Sequence, residues 1–266
     1  MDRGLSRDEG LVLRTLSLGE TSKIVSVLTR RFGRVKLVAK GSRTLRSRVG
    51  PLLEPGNQLD LVFYAREDRE LWMLKEASLR RAALTGGTTL PKLSHLFAAL
   101  ELADRLLPER EAAEEFEEIC AAFLDRWHRA GDREMAALFF ALELRWLSVA
   151  GLGIRVDGCA NCDRELGAEG SGRASFRVAE GVLECAECGR EGGRWLEESV
   201  LGDLRVLDHL LARNEEAPGF ELSDEARRSI GRLLHEHLVF HLPRYRLPQS
   251  LYWLAAATGA TDEAQR

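Results

Sequence analysis

Between residues 10 and 80, apolar and polar residues alternate with the period of two expected of half-buried strands. The clearest case is residues 34–40, RVKLVAK. Val35, Leu37 and Ala39 fall on one side, and Arg34, Lys36, Val38 and Lys40 on the other. LVLRTLSL and SKIVSVLTR precede it and are rich in branched residues, and RFG supplies a turn. QLDLVFYA follows, with Leu59, Leu61 and Phe63 on its apolar side, and then ELWMLKEASL after a charged turn. Five short strands in this span predict a small barrel of the OB type. Residues 41–57, with Pro51, Pro55 and Gly56, form the long connection between strands three and four.

After TGGTTLP, read as a linker, the pattern changes to helical spacing. Leu93, Leu96, Phe97, Leu100 and Leu107 define a first helix, with Pro91 in its first turn and Pro108 at its exit. Phe116, Ile119, Cys120, Phe123 and Trp127 define a second. A third, apolar on most sides, runs from an N-cap at Asp132 to Gly151. Three more are expected: through Val200, Leu204, Leu207 and Leu211, over 223–241, and over 249–257. The fold class is α+β. The predicted domains are the barrel (1–83), a helical domain in two parts (84–154 and 196–266), and a cysteine module (155–195) inserted between them.

Composition adds little, but the distribution of charge adds much. The formal net charge is -4, yet residues 1–83 hold 17 lysines and arginines against 10 acids. Between Glu20 and Glu54 there is no acid, and Lys23, Arg30, Arg31, Arg34, Lys36, Lys40, Arg43, Arg46 and Arg48 stand together. Screening at physiological salt acts over ~8 Å, so acids on a distant domain leave such a patch effective. The run is therefore expected to bind nucleic acid through phosphates. Phe32 lies at a turn, and Tyr64 and Trp72, placed on the outer face, would supply stacking surfaces. The bland alternative is a solubilising surface. The first ten residues lack the apolar centre of a secretory signal, and no apolar run approaches the ~18 residues of a membrane span, so a cytoplasmic protein is expected.

Cys159 and Cys162 (CANC) and Cys185 and Cys188 (CAEC) form two knuckles that together supply four thiolates. This pattern suits one structural zinc ion with no open position for water. An iron–sulfur cluster uses the same ligands, and a redox dithiol needs only one such pair. Metal binding would fold a Gly-rich insert, LGAEGSGR, with little core of its own. Cys120 reads as a packed thiol. His235, His237 and His241 lie on a helix without a metalloprotease pattern and read as packed histidines. The acid-rich EREAAEEFEE reads as a helix start. No nucleophile–base constellation appears, so no enzyme is expected.

The chain resembles the bacterial DNA repair and recombination mediator family RecO. The resemblance rests on GETSKIVSVLT followed by AKGSR, on GIRVDGCANCDREL and FRVAEGVLECAEC, and on YRLPQSLYWL. It implies an N-terminal OB-fold on a helical domain carrying a zinc module. It also implies a non-enzymatic protein that binds single- and double-stranded DNA, anneals complementary strands and helps load the strand-exchange recombinase. The implied partners are a RecR-type protein and the acidic tail of single-strand-binding protein, and the implied location is nucleoid-associated. Two readings from other classes stand beside this one. The first is an interaction adaptor whose basic face meets an acidic protein, and the second is a zinc-supported nucleic-acid enzyme.

Overall fold

The computed structural model describes residues 4–66, 68–84, 86–107, 109–111, 114–189, 192–211, 219–242 and 245–258. Thr85 in the expected linker, Pro108 at the expected helix exit and residues 112–113 of the acidic run lie outside the described residues. The chain forms two compact units, Met1–Glu117 with Pro248–Arg266, and Glu118–Leu247.

In the first unit, β1 (Leu5–Leu18), β2 (Ser22–Thr29), β3 (Gly33–Ala39), β4 (Gln58–Tyr64) and β5 (Leu71–Arg81) close into a barrel in the order β1-β2-β3-β5-β4. All pairings are antiparallel except β3 with β5, which closes the barrel in parallel. Alternation fills the interior as expected. Val35 and Leu37 from β3 and Leu59, Leu61 and Phe63 from β4 are buried there, and Leu53, from a 3-10 turn at Gly50–Leu53, joins them.

Trp72 does not lie on the outer face. The parallel register sets it beside the inward-facing Leu37, so it stacks on Phe63 with ring centroids 5.5 Å apart and 19° between planes. Its indole N–H donates to the Arg66 carbonyl at 2.7 Å, which satisfies the one polar atom that burial would otherwise strand. Phe32 packs edge-on against both rings and is also part of the core. Of the three aromatics, Tyr64 alone is exposed.

Helix α1 (Leu90–Leu106) packs on β1 and on α6 (Gln249–Thr258). Its N-cap is Thr89, whose hydroxyl accepts from the Lys92 N–H, with Pro91 in the first turn. The residues after α1 return to the barrel: Arg110 N–H donates to the Arg34 carbonyl at 3.1 Å. Gly33 permits this approach, because a Cβ there would lie 1.7 Å from the Glu111 carbonyl oxygen.

The second unit is helical around α3 (Met135–Val149), on which α4 (Glu198–Leu210) and α5 (Asp224–His241) pack. Helix α2 (Glu114–Arg129) buries Ile119, Cys120, Phe123 and Trp127, the face read from its spacing. Asp132 is not the N-cap of α3. It opens a 3-10 turn (Asp132–Glu134), where the Glu134 carboxylate accepts from the Gly131 N–H at 2.6 Å and so does the capping.

Glu143 is buried in α3, and burial pushes its carboxyl up to about 8. An unfolded carboxyl ionises near its ordinary 4.5, so between the two values the folded state holds the extra proton. Its contribution to stability therefore falls as pH rises through that window. At ~1.36 kcal/mol per unit the penalty above the window is at most about 5 kcal/mol. Glu143→Gln is expected to raise the melting temperature at about pH 8.5 and to change it little at about pH 5. Equal shifts at both values would contradict this origin.

Candidate nucleic-acid interface and metal centre

The structure divides the nine cations of the acid-free run into three groups. Arg30 and Arg31 occupy the β2–β3 turn. Arg34 and Lys36 lie on the outer face of β3, and Lys23 is at the start of β2. Lys40, Arg43, Arg46 and Arg48 occupy the first half of the β3–β4 connection. The six rises of β3 separate the two ends by about 20 Å.

The middle group is not free. Arg34 meets Glu109 at 3.1 Å and Asp104 at 3.6 Å and donates through Nε to the Leu107 carbonyl, while Lys36 Nζ lies 2.6 Å from Glu109. Glu109 registers this pairing: the hydrogen bond from Lys36, reinforced by the neighbouring Arg34, outweighs desolvation and holds its carboxyl below the usual range. Lys23 reaches Glu54 at 3.2 Å and the Gly50 carbonyl at 3.3 Å. Arg31 lies 3.9 Å from Asp8 and donates to the Arg7 carbonyl. The Arg34–Lys36 part of the strand face read from the sequence as a cationic strip is thus neutralised by acids that arrive from α1 and the segment after it.

The last group is different. Lys40, Arg43, Arg46 and Arg48 are exposed, and among the described residues none of them meets a carboxylate. Arg43 is tied down without losing its charge: its guanidinium donates to the Gly19 carbonyl, and its backbone N–H to the Thr21 carbonyl at 2.9 Å. Arg30, at the far end, is also exposed and unpaired among the described residues. Sequence reading had no means to bring Glu109 or Asp104 to β3, and it passed over Leu45, the apolar residue inside the basic segment.

The four cysteines converge. Their sulfurs all lie within 4.8 Å of one another, with Cys162 and Cys185 at 3.8 Å. A tetrahedral ion with metal–sulfur bonds of about 2.3 Å needs sulfurs about 3.8 Å apart. The frame is a three-stranded sheet in the order β7-β6-β8, from β6 (Ala174–Arg177), β7 (Val182–Cys185) and β8 (Arg194–Leu196). Phe176, Leu183 and Leu166 are fully buried here, so the module has a small core that the sequence reading did not foresee.

Backbone hydrogen bonds shape both knuckles. Asp163 N–H donates to the Cys159 carbonyl at 3.0 Å, Gly189 N–H to the Cys185 carbonyl at 2.8 Å, and Cys185 N–H to the Cys159 sulfur at 3.3 Å. Burial opposes ionisation of Cys159, but the N–H groups of Cys185, Asn161 and Cys162 outweigh it and bring the thiol down to about 6. Cys188, hydrogen-bonded to Cys162 and Cys185, is pushed up to about 12. Four such sulfurs cannot all be anions together unless a cation lies between them. The donor set therefore fits a bound metal ion.

Outside this cluster, no other group of metal-ligating side chains occurs among the described residues. His237 and His241 direct Nε2 at the carbonyls of Leu152 (2.8 Å) and Val178 (3.0 Å), which is the packed role read for them. No helix among the described residues is long and apolar enough to cross a membrane.

Comparison with known proteins agrees with both halves of this description. The model for "Recombination protein O N terminal" matches residues 1–83, and that for "Recombination protein O C terminal" matches residues 87–251. The DNA repair protein RecO of Frankia casuarinae is 35% identical over 241 residues, covering 90% of this chain and 94% of the relative. That of Anaeromyxobacter dehalogenans strain 2CP-1 is 34% identical over 244 residues, covering 90% and 92%. A five-stranded closed barrel, a helical body with a four-cysteine cluster, and these matches along nearly the whole length place the chain in the Recombination protein O (RecO) family.

Proposed function

We propose that this protein is a non-enzymatic DNA-binding mediator of repair. It grips strands by their phosphates, anneals complementary single strands and helps load the strand-exchange recombinase. The observation that carries this reading is the group of exposed, carboxylate-free cations at residues 40–48, with Arg30 as an outlying contact. Annealing is opposed by repulsion between two polyanions, and a cationic surface that touches phosphates lowers it while leaving base edges free to pair. A RecR-type protein and the tail of single-strand-binding protein are the proposed partners, in the cytoplasm at the nucleoid. The metal is proposed to be one zinc ion, held by Cys159, Cys162, Cys185 and Cys188 and purely structural, since four protein thiolates leave no position for substrate.

With four phosphates contacted, the single-strand salt slope is about -2.8, so affinity should drop about 50-fold between 50 and 200 mM salt. Strand annealing by the full chain, followed by fluorescence with single-strand-binding protein present, should weaken in parallel. A flat salt profile, or no annealing, would remove this reading in favour of a protein adaptor.

A further inference from the structure

The basic connection carries an apolar residue at its apex. Leu45 has a relative exposure of 108%, so its whole side chain stands in water. A single exposed leucine is ordinary on a protein surface and by itself signifies nothing. Leu45 differs in how it is held and in what surrounds it.

Two consecutive turns fix its position. Thr44 N–H donates to the Gly41 carbonyl at 3.2 Å, and Ser47 N–H to the Thr44 carbonyl at 3.0 Å, which places Leu45 at the first corner of the second turn. The Thr44 hydroxyl adds a 2.9 Å bond to the Gly41 carbonyl. The base is equally built: Ser47 Oγ accepts from the Gly50 N–H at 3.0 Å, and Ser42 Oγ donates to the Ala39 carbonyl at 2.7 Å. A Cβ on Gly50 would lie 2.0 Å from the Ser42 carbonyl oxygen, so the two ends of the basic segment meet backbone to backbone. The loop is preorganised to present an apolar tip, and Arg43 and Arg46 flank that tip in sequence.

We propose that Leu45 is a wedge that enters between bases while Lys40, Arg43, Arg46 and Arg48 hold the adjoining phosphates. This rests on the DNA-binding reading above and adds a preference to it. Insertion of an apolar side chain must unstack a base step, which is costly in intact duplex. That cost is largely absent where stacking is already broken. The wedge therefore selects single strands, mismatches and junctions over continuous duplex, a preference set by stacking rather than by charge.

The test compares the full chain with its Leu45→Ser variant, which removes no packing because the residue touches no core. The probes are matched duplex, duplex with one internal mismatch, and single strand, with the adenine analogue 2-aminopurine reporting unstacking. The variant should bind the mismatched duplex and single strand about tenfold more weakly, the scale of withdrawing one leucine from an apolar contact. It should keep the affinity for matched duplex and the salt slope, and lose the rise in 2-aminopurine fluorescence. Unchanged mismatch affinity and fluorescence would overturn the wedge and leave the phosphate-binding reading intact. If the unaltered chain binds none of the DNA probes, both readings fall. Vesicles of phosphatidylglycerol form a separate arm: binding to them that depends on Leu45, with DNA binding unaffected, would assign the tip to an anionic lipid surface and overturn the proposal.

Discussion

Reversing Lys40, Arg43, Arg46 and Arg48 to glutamate should abolish single-strand binding, whereas Lys36→Gln should leave it within about a factor of three. The four loop cations face water and meet no carboxylate among the described residues, so a phosphate can exchange with their counterions. Losing four contacts and gaining four like charges lowers affinity by at least ~10²-fold at 50 mM salt. Lys36 already pairs with Glu109, and Arg34 with both Glu109 and Asp104, so their field outside the protein is largely cancelled. Glu109→Gln should therefore strengthen DNA binding, since it releases Lys36, while Arg34 keeps Asp104 and the Leu107 carbonyl. Fluorescence anisotropy with a labelled oligonucleotide checks all three variants, and circular dichroism checks that each remains folded. Equal losses for Lys36→Gln and for the loop reversal would show that the strand face, not the loop, holds the DNA.

This contrast marks how far the sequence could be read. Local periodicity located all five barrel strands and the buried residues Leu59, Leu61 and Phe63, because alternation and burial are both properties of single strands. Pairing between strands is not local. The parallel register of β3 with β5 takes Trp72 into the core, and no pattern within ELWMLKEASL announces that partner. Charge behaves the same way. Glu109 is about seventy positions from Lys36 in sequence but 2.6 Å from it in space. The cysteine centre was legible because its spacing encodes the ligand set directly. The strands that frame it, three or four residues each, are too short to show a period.

Cys159→Ser, or removal of the metal by a chelator, should release one equivalent of zinc and loosen residues 155–195, leaving the barrel folded and DNA-competent. The sulfurs lie within 4.8 Å of one another, so without a cation their ionised forms repel and their protonated forms compete for few acceptors. Metal binding at such sites is worth on the order of 10 kcal/mol. Against it the module sets Phe176, Leu183, Leu166 and a sheet of three short strands, whose few buried side chains contribute ~1.5–3 kcal/mol each before the entropy of ordering the chain is counted. The metal is therefore expected to decide whether the module is ordered. The barrel has its own core and shares no ligand with the centre, so its phosphate contacts should survive. Elemental analysis gives the identity and count of the metal, and amide hydrogen exchange gives the location of the loosening. Iron in place of zinc would overturn the assignment of the ion. Unchanged protection over residues 155–195 after chelation would show that the small hydrophobic core suffices alone, and the metal would lose its structural role.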